Sequence, residues 1–129
     1  MKKIIFILPL KVTFKDIAFY LNIDNFFLGK QVMHYTNFKD FEAECPKNEQ
    51  YLIITDSMIP PMDDRDRIKG LNMLIEWHQS NKATSTLILY STLFSVEEDK
   101  INLQHFKTFI NFLRTDAIED LIVAIKEHY

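Results

Sequence analysis

Four short apolar runs, at 3–8, 51–55, 86–90 and 107–112, set the limits on how this chain can fold. Each is too short for a helix, rich in Ile, Leu or Phe, and nearly continuous. Strands covered on both faces read this way, as in a parallel sheet, whereas strands with one wet face alternate apolar and polar residues. A weaker fifth run at 31–35 follows Gly29 and carries Val32 and Met33.

Helical periodicity fills the gaps between the runs. Residues 13–21 place Ile17, Ala18 and Leu21 on one side, with Thr13 as the N-cap. Residues 37–44 bring Phe38 and Phe41 together at i, i+3. Residues 70–81 offer Leu71, Leu74, Ile75 and His78 as an inward stripe, and leave Met73 and Trp77 off it as semi-exposed packing or a partner patch. Ser95 with Glu98 forms a capping box ahead of a helix over 96–102. Asp116 heads a last helix with Ile118, Leu121, Ile122 and Ile125 on its apolar face. Strand and helix thus alternate five times, which predicts an α/β domain over 1–129 with helices on both faces of a parallel sheet. In such sheets ligands sit at the carboxyl ends of the strands.

Composition excludes several other readings. With 129 residues, 47% hydrophobic and 26% charged, the chain can bury a real core. Its 11 Phe make that core aromatic-rich; Phe26 and Phe27 are expected to close one end of it. The net charge of −3 and the lack of a Lys/Arg stripe make nucleic acid a poor partner. Cys45 is the single cysteine, expected as a loop-edge thiol beside Pro46, so neither an internal disulfide nor a multi-cysteine zinc site can form. The four His are scattered, which argues against a metal cluster. The apolar start after Lys2 and Lys3 stops at Pro9 without a small-residue cleavage site, and no stretch approaches the roughly 20 apolar residues of a membrane span. The cytoplasm is the expected compartment.

The strand ends carry the chemistry. After the third strand stands Asp56-Ser57-Met58-Ile59-Pro60-Pro61-Met62-Asp63. A carboxylate at this edge can attack a phosphoryl group to give an acyl phosphate. In this motif the chain resembles the response-regulator receiver family (CheY-like), whose phosphoacceptor motif has the form Asp-x-x-Met/Ile-Pro-x-Met-Asp. Asp56, Ile59, Pro60, Met62 and Asp63 match it. The resemblance implies a doubly wound, flavodoxin-like sheet of order 2-1-3-4-5. It also implies a phosphate pocket built from Asp56, from Ser91 and Thr92 after the fourth strand, and from Arg114 in the place of the family's lysine, with Thr115 where the family has proline. The alternative for Arg114 is a structural salt bridge to Asp116 or Asp56.

Departures from the family mark the chain as degenerate. The acidic pair that holds a divalent cation in the family falls on Leu8 and Pro9. Magnesium needs oxygen ligands, usually one or two of them carboxylates, so weak binding or none is expected and no cofactor is called for. The aromatic switch position falls on Asn111, next to Phe109 and Phe112. The charged segment 64–69 reads as an insertion.

The leading expectation is therefore a stand-alone receiver-like protein of two-component-type signal transduction. It acts by protein–protein interaction, not as an enzyme, with phosphorylation weak or absent. Its partners would be other signalling proteins, such as a histidine kinase or an output protein. By the resemblance it would dock them, or a second copy, through the fourth helix, fifth strand and last helix, with Lys100, Gln104, Lys107, Glu119 and Lys126 on that face. One alternative is a working phosphorelay receiver phosphorylated on Asp56. Another is a flavodoxin-like cofactor-binding enzyme, which Pro9-Leu10-Lys11-Val12 disfavours, since flavin phosphate wants a hydroxyl- and Gly-rich loop after the first strand.

Overall fold

The computed structural model describes residues 2–62, 69–81, 85–92 and 103–129. Five strands, β1 (Lys3–Ile7), β2 (Val32–Tyr35), β3 (Tyr51–Thr55), β4 (Ser85–Ser91) and β5 (Phe106–Asn111), form one parallel sheet of order β2-β1-β3-β4-β5. Helices α1 (Lys11–Asn22), α2 (Phe38–Glu44), α3 (Lys69–Gln79) and α4 (Ala117–His128) complete the described elements, with a short 3-10 turn at Leu103–His105. The helix expected over 96–102, with its capping box and Lys100, lies outside the described residues, as do Asp63 and 64–68 of the charged insertion. Lys69 opens α3.

Successive side chains of a strand point to opposite faces, so each apolar run feeds two cores. Ile5, Ile7, Ile53, Leu87 and Leu89 pack under α2 and α3, with Phe38, Phe41, Leu71 and Leu74. Ile4, Phe6, Leu52, Ile54, Ile88 and Tyr90 pack under α1 and α4, with Ile17, Leu21, Leu121 and Ile125. This is why β1 and β3 show no polar alternation. In β5 the alternation breaks. The β4–β5 register shifts between Leu87 and Ile88, which pair with Phe106 and Thr108 and skip Lys107. The irregularity turns both Phe106 and Phe109 toward the α2–α3 side, while Ile110 joins the other core.

Several local expectations are corrected. Helix α1 begins at Lys11 rather than at Thr13; Leu10 takes the N-cap position with no side-chain bond, because the short connection from β1 leads straight into the helix. Asp116 precedes α4 but does not cap it, since its carboxylate is engaged by Arg114 Nε at 3.2 Å. Trp77 is core, 3% exposed, with its ring 4.8 Å from that of Phe41 and 5.7 Å from that of Tyr51. Met73 packs against the same core. Cys45 is buried at the end of α2, its thiol 3.8 Å from the Tyr35 hydroxyl, and burial raises the pKa of both groups. Phe26 and Phe27 do close the end of the second core, Phe26 with its ring 5.8 Å from that of Tyr129.

The loop after β3 braces two helices. The Phe38 and Lys39 amides donate to the carbonyls of Pro60 and Pro61 at 3.0 and 2.8 Å, and Asn37 Oδ1 accepts from the Asp40 amide at 2.8 Å. The first turn of α2 is thereby satisfied. Gly70 donates to the Ile59 carbonyl at 3.1 Å.

Candidate functional site

The parallel sheet brings the carboxyl ends of β1, β3, β4 and β5 to one edge. Asp56 follows β3 there, its amide bonded to the Ile7 carbonyl at 3.2 Å, which fixes it beside the end of β1. Its Oδ1 accepts from the Ser57 amide at 2.6 Å, the Ser57 hydroxyl at 3.3 Å and the Met58 amide at 3.4 Å. Ser91 closes β4, fully buried, and its hydroxyl is bonded to that of Ser57. Burial pushes the Asp56 carboxyl above its ordinary range. Hydrogen bonds from Ser91, from the Met58 and Ser57 amides and from the Ser57 hydroxyl oppose that rise without cancelling it. Thr92 follows Ser91, half-buried.

Leu8 and Pro9 stand at the end of β1, where neither offers an oxygen on its side chain. Leu8 is 1% exposed and locked by its backbone: its amide donates to the Tyr35 carbonyl at 3.0 Å, and its carbonyl accepts from His34 Nε2 at 2.7 Å. The His34 ring stacks on Phe14 with centroids 4.5 Å apart. Among the described residues no group of three or more His, Cys, Asp or Glu is gathered as a metal cage. Asp56 offers this edge one carboxylate, and its Oδ1 already accepts from two amides and a hydroxyl, whereas magnesium takes several oxygen ligands.

Arg114 does not converge with Asp56. It lies after β5, where its amide closes a turn on the Asn111 carbonyl at 3.1 Å, but its guanidinium bonds the carboxylates of Asp116 and Asp120 at the start of α4. Asn111 pairs with Ser91 in register, and its Oδ1 accepts from the Leu113 amide at 3.0 Å, so it shapes the turn. Lys126 is likewise engaged, bonded to Asp24 with its ammonium 5.8 Å from the centre of the Phe26 ring.

Sequence reasoning missed Ser57, although a hydroxyl directly after a strand-ending Asp is a recognisable turn signal. It also missed His34 and the capping role of the Pro60 and Pro61 carbonyls, which depend on contacts between elements distant in sequence.

Solved structures with this architecture include two receiver domains and RcsB. A response regulator receiver domain protein (CheY-like) from Methanospirillum hungatei JF-1 superposes with a TM-score of 0.71 at 19% identity, covering 99% of this chain and 93% of that one. The fold is that of a response-regulator receiver domain. The signal receiver domain of an HD domain-containing protein from Pseudomonas fluorescens Pf-5 gives 0.72 at 15% identity, covering 98% and 85%. RcsB from Salmonella enterica serovar Typhimurium, bound to promoter rprA with the phosphomimetic BeF3-, gives 0.70 at 14% identity, covering 95% and 66%. No family model and no curated protein matches the chain. Within the receiver fold, Asp56 follows the third strand and Ser91 ends the fourth. Among the described residues no helix is long and apolar enough to cross a membrane.

Proposed function

We propose that this receiver-fold chain is a signalling module of the two-component type that works in the cytoplasm by binding other proteins, without catalysis and without dependence on phosphate. The observation that carries this reading is the state of the edge itself. Ser91 is already drawn inward onto Ser57 and Asp56, and the two positions at the end of β1 supply no side-chain ligand for a cation. Transfer of a phosphoryl group to a carboxylate needs positive charge against the phosphoryl oxygens. Arg114 would have to leave two acids to provide it. A ligand shifts a conformational equilibrium only by its different affinity for the two states, and this pocket offers phosphate little to gain.

The surface for partners is the side built from β5 and α4. Lys107 and Glu119 are exposed there, beside a groove of about 380 Å³ lined by Thr108, Ile110, Arg114, Val123, Ala124 and Glu127. Lys126 contributes less than its position suggests, because Asp24 holds it.

Beryllofluoride with magnesium tests the reading. The amide resonances of Ser57, Ser91 and Asn111 should stay in place, and acetyl phosphate should add no phosphoryl mass. Saturable shifts that spread from Asp56 to Ser91 and Asn111, with the mass gain, would make Asp56 a working phosphoacceptor and the chain a phosphorelay receiver.

A further inference from the structure

The chain from Asp56 to Pro61 is held at both ends. At one end the Ser57 and Met58 amides donate to Oδ1 of Asp56 at 2.6 and 3.4 Å. At the other, the carbonyls of Ile59, Pro60 and Pro61 accept from the amides of Gly70, Phe38 and Lys39 at 3.1, 3.0 and 2.8 Å. Those amides belong to the first turns of α3 and α2, where helical N–H groups have no partner within their own helix. Helix α2 has only seven residues, so its order depends on contacts of this kind. The stretch between the two ends is stiff. Ile59 is fully buried in the α2–α3 core, and the two prolines fix their φ angles. Helix α3 starts so close to the loop that a β-carbon on Gly70 would overlap the Ile59 carbonyl oxygen.

We infer that this loop is a strap that carries the charge state of Asp56 to the first turns of α2 and α3 rather than to β5. A hydrogen bond to an ionised carboxylate is roughly twice as strong as one to a neutral acceptor. A change of charge on Asp56 therefore alters the grip on the first two amides of the strap, and the stiff segment passes the change to the carbonyls that cap both helices. Toward β5 the contacts run through Ser91 to its register partner Asn111. The Asn111 Oδ1 is taken by the Leu113 amide at 3.0 Å, so its side chain serves its own turn. The two strapped helices meet where the rings of Trp77 and Phe41 lie 4.8 Å apart, and a shift of either first turn is felt in that contact. Such a coupling is a free-energy difference between two charge states and uses no phosphate.

The test is native-state amide hydrogen exchange in the full chain and in Asp56→Asn at neutral pH. The Ile53 amide, in the middle of the sheet, reports global unfolding. Removing the charge should make the Phe38, Lys39 and Gly70 amides exchange at least about threefold faster, while those of Asn111 and Phe112 follow Ile53. Pro60→Gly keeps the carbonyls but loosens the strap between Ile59 and the two that cap α2. In that background Asp56→Asn should still act on Gly70 and no longer on Phe38 and Lys39. Exchange at the three amides that matches the parent, or changes only by the factor seen at Ile53, overturns the inference. So does a larger change at Asn111 and Phe112, which puts the route through β5, or an undiminished effect at Phe38 and Lys39 in Pro60→Gly. Phosphorylation of Asp56 and partner binding at the β5–α4 surface are decided separately from any of these results.

Discussion

The hydroxyl of Ser91, at the end of β4, is bonded to the hydroxyl of Ser57, two positions past the end of β3. Ser57 in turn donates to Oδ1 of Asp56 at 3.3 Å, so a buried chain of hydroxyls ties the fourth strand to the carboxylate at the sheet edge. Both serines are out of water, Ser91 completely and Ser57 at 5% exposure. Removing Ser91 takes one partner from Ser57, which keeps its bond to Asp56. Ser91→Ala should therefore lower unfolding free energy by about 1 kcal/mol, the net loss of a buried hydrogen bond. Adding Ser57→Ala should cost less than the two single losses combined, a coupling that urea denaturation of the four proteins can read.

The start of α3 lies against the backbone of the loop after β3. A β-carbon at Gly70 would overlap the Ile59 carbonyl oxygen and come within 2.8 Å of that of Pro60. Those same prolines cap α2 through Phe38 and Lys39, so the strain would spread to a second helix. Gly70→Ala should cost about 2 kcal/mol or more, in the range of overpacked cores. Gly29 makes the contrast: a β-carbon there meets nothing, but φ is +75°, so Gly29→Ala should cost only about 1 kcal/mol. Equal losses in the two variants would mean that the 59–70 contact relaxes freely.

These two sites show what a sequence can carry. The five strands were legible because a parallel sheet buries both faces and leaves runs such as Tyr51–Thr55 unmistakable. Asp56 was legible because it ends such a run. The β5 irregularity at Lys107 was not, because it appears only in how β5 pairs with β4. Trp77 was misplaced for a related reason. Its position off the α3 stripe suggested exposure, but Phe41 and Tyr51 reach it from α2 and β3. Arg114 was assigned by its place after β5; its bond to Asp116 was legible as an alternative because the two are close in sequence, while its bond to Asp120 was not.

Magnesium should bind at Asp56 only at millimolar concentrations or weaker, as measured by calorimetric titration. Pro9 is half-buried at the end of β1 and, unlike the fully packed Leu8, has room for a new side chain. Pro9→Asp should add a second carboxylate at this edge and strengthen magnesium binding about tenfold, a gain that Asp56→Asn abolishes. Sub-millimolar affinity in the unmodified chain that disappears with Asp56→Asn would falsify the assignment of Leu8 and Pro9 as empty ligand positions.

Trp77 is the single tryptophan, which makes the α2–α3 core easy to follow. With 3% exposure its fluorescence should be blue-shifted and poorly quenched by iodide. Trp77→Ala should cost about 3–5 kcal/mol, and Trp77→Phe considerably less because an aromatic ring remains against Phe41. A solvent-like emission maximum in the folded chain would place this helix face at the surface instead.

The pH dependence of stability should expose the price of burying Asp56. Its carboxyl is held above the ordinary value of 3.8, with burial the largest cause, so the folded chain binds this proton more tightly than the unfolded one. Stability falls with pH wherever the folded state holds more protons. The contribution of Asp56 is thus fully present below pH 3.8 and is lost as pH rises through the raised folded value, which leaves the ionised carboxylate a liability at neutrality. Asp24 and Glu49 act in the opposite sense. Their carboxyls are lowered, first by their hydrogen bonds to Lys126 and Lys3, and their stabilisation is lost on acidification. The total curve mixes these effects, and the difference between the parent chain and Asp56→Asn isolates one of them. The amide oxygen of Asn can still accept from the Ser57 and Met58 amides, while the charge is gone. Asp56→Asn should accordingly melt a few degrees higher at pH 7, on the scale of about 1 kcal/mol, with the gain shrinking toward pH 3–4. A variant that melts lower at pH 7 than at pH 4, relative to the parent, would show that the ionised carboxylate is needed by the folded edge, and that it is the anion rather than the acid that Ser57 and Ser91 are arranged to hold.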